Sequence, residues 1–154
     1  MNGSPDVSTA RLRQQGYSEA LRLAGVPVDE ELMLHVNYRD FHDDEALDRL
    51  LHLDSPPTAV FAANNFLAVG IIRTLRRRGL RVPDDISVVC FDDLGLASEL
   101  DPFLTVAAQP AYQFGALGVQ LLVERIAAGP DAERRTVILP SELIVRSSAK
   151  ALVR

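Results

Sequence analysis

Asn64, Asp92 and Gln109 each stand just beyond a short apolar run, after Thr58–Ala62, Ile86–Phe91 and Leu104–Ala107 respectively. All three are hydrogen-bonding side chains. The Asp92 carboxylate accepts two hydrogen bonds, which suits adjacent hydroxyls on a sugar, and the Asn64 amide both donates and accepts. If the three apolar runs are parallel strands, their ends lie along one edge, where open α/β sheets bind ligands. That chemistry is reversible recognition of a small polar molecule. Two plainer roles stand beside it: Asp92-Asp93 as an acidic turn after a strand, and Asn64 or Asn65 as a helix cap.

Catalysis and metal binding find little support. No G-x-S-x-G elbow or glycine-rich phosphate loop occurs, and His35, His42 and His52 lack metal-ligand spacing. The acidic cluster His42-Asp43-Asp44-Glu45 is consecutive, so on a helix its side chains point about 100° apart and cannot converge. It reads as an acidic first helical turn facing the positive end of the dipole. Arg76-Arg77-Arg78 ends a helix before Gly79, where cations are favoured, and reads as a solvated face. Cys90, the single cysteine, sits in an apolar strand as an inert thiol. No enzyme, metal or cofactor is expected.

The elements that would position these groups alternate. A helix is expected from about Ala10, capped by Ser8 or Thr9, to Gly25. Leu32–Val36 reads as a short strand and Asp43–Leu53 as a helix. The strand Thr58–Ala62 leads to a helix whose apolar stripe is Ala68, Ile71, Ile72 and Leu75. Strands Ile86–Phe91 and Leu104–Ala107 follow, then a long helix from Pro110 to about Ala128. Thr136–Leu139 and Leu143–Val145 are short extended runs. The pattern is α/β, a mostly parallel sheet flanked by helices, and continuous apolar strands such as I-S-V-V-C-F fit burial on both faces.

The chain has 154 residues, 47% hydrophobic and 24% charged, enough for one domain with a core. Its net charge of −5 gives no basic footprint for DNA. One cysteine, no apolar run of membrane-spanning length and no leader-like start point to the cytoplasm.

Several motifs in order carry a resemblance: S-T-A-R-L-R-Q-Q-G-Y (8–17), A-A-N-N (62–65), C-F-D-D (90–93) and L-P-x-E-L-I-V-R-x-S (139–148). Together they resemble the effector-binding domain of the lactose-repressor/galactose-repressor (LacI/GalR) family of bacterial transcription regulators, over nearly the whole chain. The resemblance implies a periplasmic-binding-protein-like type I fold and a ligand that is a sugar or a nucleobase. It places Arg13, Asn64 and Asp92 at effector-contacting positions, Tyr38 as a ring against the ligand, and Gln109 at the crossover between subdomains. Asn65 stands where the family usually has aspartate, and Cys90 where it has glycine.

Met1 falls in the middle of the family pattern. The resemblance therefore implies a truncated product: one subdomain essentially complete (about 1–108 and 137–149), with about 109–130 as a crossover helix of a largely missing N-terminal subdomain. Operator DNA would be bound only through a helix-turn-helix domain outside this chain. The long helix carries Phe114, Leu117, Val119, Leu121, Leu122, Val123 and Ile126, too many for one narrow stripe. It is expected to enter a homodimer contact or to fold against this domain. The alternative function is a truncated sugar-binding protein of the periplasmic type.

Overall fold

In the computed structural model, which describes residues 1–36 and 44–151, three parallel strands and one antiparallel strand form a sheet in the order β1-β2-β3-β4. They span β1 Ala59–Ala62, β2 Ser87–Phe91, β3 Thr105–Ala108 and β4 Glu142–Ile144. The register pairs Val60 with Val88, Ala62 with Cys90 and Cys90 with Val106. Because side chains alternate along a strand, these five residues share one face, and all are buried. Helices α2 (Asp44–Leu51) and α3 (Asn65–Arg77) complete that core with Leu47, Leu67, Ala68, Ile71 and Leu75. Leu67, Ile71 and Leu75 recur every four residues and so form one stripe. Each such side chain contributes roughly 1.5–3 kcal/mol on burial.

Asn64 begins α3 by accepting the Leu67 N–H at 2.8 Å, the capping role the sequence suggested. The helix stops at Gly79, whose φ of 74° a residue with a Cβ rarely adopts. The Leu80 N–H bonds Leu75 O at 2.9 Å and the Gly79 N–H bonds Arg76 O at 3.1 Å, satisfying the last carbonyls. The arginines beyond are paired. Arg77 donates to Asp44 at 2.6 Å and Arg78 to Asp48, so they clamp α3 to α2.

Helix α1 (Ser8–Leu23) lies over the other sheet face, near Phe61 and Phe91. It starts at Ser8 without a side-chain cap, two residues earlier than expected. Leu32–Val36 is not a strand: Glu30–Leu32 makes a 3-10 turn, with the Glu31 N–H donating to the Asp29 side chain at 2.9 Å, and within 32–36 only His35 forms a bridge, to Asn2. Acidic Asp29-Glu30-Glu31 favours that turn over extension. A short helix α4 (Leu96–Leu100) follows β2, which the sequence did not suggest. Thr136–Leu139 contains no strand.

Helix α5 (Ala111–Ala128) does not fold back onto the domain, because none of its residues is buried. Tyr112 and Ile126 are 88% and 71% exposed. Apolar residues on every side leave no single face to lay against the sheet.

Residues 146–148 close the sheet from the far end of the chain. The fully buried Ser148 hydroxyl donates to Val88 O at 2.6 Å and accepts the Thr105 N–H at 2.7 Å. The substitution Ser148→Ala would leave both backbone groups unpaired, at a cost of roughly 1–3 kcal/mol. Urea unfolding should show a lower midpoint with an unchanged slope; an unaltered midpoint would mean the bridge is dispensable.

Candidate functional site

The carboxyl ends of β1, β2 and β3 bring together four of the five residues singled out from sequence. Tyr38 lies outside the described residues. Asn64 follows β1 by two positions, Asp92 follows β2 directly and Gln109 follows β3 directly. Parallel pairing alone puts them on one edge, as expected.

Arg13 reaches that edge from α1. Its Nη1 donates to Ala63 O at 2.6 Å, next to Asn64, and its guanidinium sits 4.1 Å from the centre of the Phe91 ring. A cation over a ring face is attracted by the ring quadrupole. The arginine is thus held in place while part of its donor fork stays available. Asn64 uses its oxygen in the helix cap, and its amide nitrogen has no hydrogen-bond partner among the described residues.

Asp92 adopts φ of 77°, the left-handed region, and its N–H bonds Ala107 O at 3.0 Å. Gln109 Nε2 donates to Asp92 Oδ1 at 2.7 Å. This contact bridges the ends of β2 and β3 and leaves the second carboxylate oxygen for a ligand. Beside it runs an open groove of about 600 Å³ lined by Leu12, Arg13, Tyr17, Phe61, Phe91 and Gln109. Ring faces, a guanidinium and an amide around one groove, with the Asp92 carboxylate bonded to that amide, can bind a small polyhydroxy or planar molecule. Arg13 also borders a smaller cavity of about 100 Å³ beneath α1.

Two neighbours escaped the sequence reading. The sequence marks Phe91 only as a strand residue, yet its ring supports Arg13. Asp93 follows Asp92 but faces elsewhere: Arg146 grips it with Nη1 at 2.8 Å and Nη2 at 2.6 Å, and Ser98 and the Leu94 N–H add bonds. The Arg146 and Asp93 side chains are 13% and 24% exposed. The tail motif L-I-V-R-x-S held the signal, but nothing in the sequence tied its arginine to this turn.

Cys90 is fully buried. Burial pushes its thiol up to about 12, with the Asp92 charge adding to the effect, so it stays protonated. Among the described residues, no group of three or more His, Cys, Asp or Glu is placed to hold a metal. In the acidic cluster, Asp44 bonds Thr74 and Arg77, while His42 and Asp43 lie outside the described residues. Among the described residues no helix is long and apolar enough to cross a membrane.

Comparison with known proteins gives concordant matches. A family model described as periplasmic binding protein-like domain matches residues 1–149. The HTH-type transcriptional repressor CytR of Escherichia coli K12 is 35% identical over 97% of this chain and 44% of its own length. The HTH-type transcriptional repressor PurR of Mannheimia succiniciproducens is 37% identical over 94% and 43%. Among solved structures, the transcriptional regulator CelR–cellobiose complex superposes with a TM-score of 0.82 at 34% identity, covering 97% of this chain and 45% of that one. The transcription regulator CcpA of Lactococcus lactis gives 0.79 at 28% identity, covering 96% and 54%. The chain thus spans about half the length of the relatives it matches.

Hydrogen bonds from Arg146, then those from Ser98 and the Leu94 N–H, outweigh desolvation and hold the Asp93 carboxyl well below the usual carboxylate range. A depressed carboxylate stabilises the fold fully above its unfolded value of about 3.9, and that stabilisation is lost as pH falls toward the folded value. Stability measured from pH 6 down to 2 should therefore fall less steeply in Asp93→Asn than in the parent below about pH 4. Identical acid limbs would remove Asp93 from the balance.

Proposed function

The chain belongs to the periplasmic binding protein-like family of LacI-type transcriptional regulators, and on that premise we propose that it is the effector-sensing portion of such a regulator. Its ligand is a sugar or a nucleobase-like molecule held at the carboxyl ends of β1–β3. Asp92 accepts hydrogen bonds from the ligand, Arg13 and the Asn64 amide donate to it, Gln109 orients Asp92, and Tyr38 adds a ring. The observation that carries the reading is the Gln109–Asp92 bridge beside Arg13 at the mouth of an aromatic groove.

The relatives are transcriptional regulators, not enzymes, and catalysis is no part of the proposal. Effector binding is proposed to shift a conformational equilibrium that a DNA-binding part of the parent protein reads. At net charge −5, and with Arg77 and Arg78 paired to carboxylates, the chain is proposed not to contact operator DNA itself. The proposed setting is the cytoplasm. CelR is seen in complex with cellobiose, which favours a disaccharide as the first compound to try.

The direct test is thermal unfolding with millimolar cellobiose, monosaccharides, nucleosides and purines. A ligand at 100 times its Kd adds about 2.7 kcal/mol, a rise of several degrees for a domain of this size. The rise should vanish in Asp92→Asn and Arg13→Ala. A cooperatively unfolding chain that responds to no compound in the panel counts against the reading.

We further propose that the apolar surface of α5 supports a homodimer, since exposed patches of that extent favour association. Val119, Leu122 and Ile126 are 62%, 56% and 71% exposed. Sedimentation at rising concentration should show a dimer in the parent chain and a monomer in the Leu122→Glu, Ile126→Glu double variant. A parent chain that remains monomeric would refute this contact.

A further inference from the structure

We propose that Arg146 is a positioning residue for the Asp92 carboxylate, acting through Asp93; the inference rests on the reading of Asp92 as an effector contact. Asp92 is the single non-glycine residue among the described ones with φ in the left-handed region, at 77°. A Cβ disfavours that conformation, which persists only where the surrounding contacts over-determine it.

Two anchors over-determine it here. On one side, the Asp92 N–H is held by Ala107 O at 3.0 Å, near the end of β3. On the other, the Asp93 carboxylate is gripped by both terminal nitrogens of Arg146, at 2.8 and 2.6 Å. Arg146 is itself fixed at the start of β3. Its Nη1 donates to Leu104 O at 2.9 Å, its backbone N–H donates to Thr105 Oγ1 at 2.9 Å, and the Thr105 hydroxyl donates back to Arg146 O at 3.1 Å.

Consecutive residues are thus pinned to opposite ends of the same strand. Asp92 is tied to the end of β3, and Asp93 is tied through Arg146 to its beginning. The chain must reverse direction within one residue, and positive φ at Asp92 is the reversal. The same reversal leaves the Asp92 carboxylate facing Gln109 at 2.7 Å, along the groove edge. With the Arg146 fork removed, the Leu94 N–H and Ser98 still touch the Asp93 carboxylate, but both belong to the loop that leaves with it, and the contact left from outside the loop, Asn65 Nδ2 to Asp93 O at 3.4 Å, holds the carbonyl and not the carboxylate. Asp92 then relaxes toward extended backbone and its carboxylate leaves Gln109.

The test uses the isotopically labelled chain without ligand. It follows the Asp92 HN–Hα coupling and the cross-relaxation between the Gln109 side-chain amide and the Asp92 β-protons. In Arg146→Met the coupling should leave its left-handed value and the cross peak should disappear. Arg146→Lys, which restores the charge without the fork, should keep a weakened cross peak. Ser148→Ala loosens the same tail without touching the pair and should leave both signals unchanged. The proposal is overturned if Arg146→Met retains both signals, or if Ser148→Ala alters them as much. Should Arg146→Met not give a folded spectrum, Asp93→Asn and Arg146→Lys decide by the same criterion, and unchanged signals in both overturn it. Failure of the effector reading would appear separately, as absent thermal shifts across the ligand panel, and would leave the coupling data standing.

Discussion

The sheet holds its shape because residues 146–148 return from the end of the chain and bond to β2 and β3 together. Parallel neighbours cannot be joined by a tight turn, so each pair closes a long loop whose entropy opposes association. Ser148 spans the starts of both strands, through Val88 and through Phe103 and Thr105. Arg146 then extends the hold to the far end of β2 through Asp93. A single tripeptide thereby controls both ends of the central strand. The candidate edge draws on the Arg146 end of that stitch, because Asn64, Asp92 and Gln109 have no covalent reason to stay aligned.

The composition of that edge explains how it can be polar and still well ordered. Arg13 would be a floppy cation at the end of a surface helix, but the Ala63 carbonyl and the Phe91 ring fix it from two sides. Asn64 spends its oxygen on the cap of α3 and Asp92 one oxygen on Gln109. Each recognition side chain therefore has one interaction that orients it and one group in reserve. On the proposed reading, the reserved groups are two kinds of donor and one acceptor beside ring faces, a complement to a molecule with hydroxyls at its rim and an apolar face.

Helix α5 follows a different logic. Of its six large exposed apolar residues, Tyr112, Val119, Leu122, Val123 and Ile126 fall within about 100° of the helix surface at 100° per residue, and Phe114 lies on the opposite side with Leu117 and Leu121. Among the described residues its ion pair is Glu124 with Arg135. None of these side chains is buried against the four-stranded sheet, so on the proposed reading their cover comes from a second copy of the chain.

The sequence disclosed what depends on near neighbours and withheld what depends on distant ones. Strand positions, the Asn64 cap and the Gly79 stop were legible because apolar runs, caps and glycines act within a few residues. The site edge was legible too, since parallel topology alone aligns strand ends. The 3-10 turn at Glu30–Leu32 was missed because a local acidic cap outweighed a weak apolar run. Asp92 and Asp93 give the sharpest case. They are the same residue type at adjacent positions; the sequence describes both as an acidic turn, and the family resemblance singles out Asp92 alone as a ligand contact without saying what Asp93 does. Their roles separate only because Arg146, 53 positions later, takes one carboxylate and leaves the other. On the proposed reading, the backbone reversal that follows from the grip on Asp93 turns Asp92 toward Gln109, which makes a structural ion pair and a recognition carboxylate two consequences of one turn.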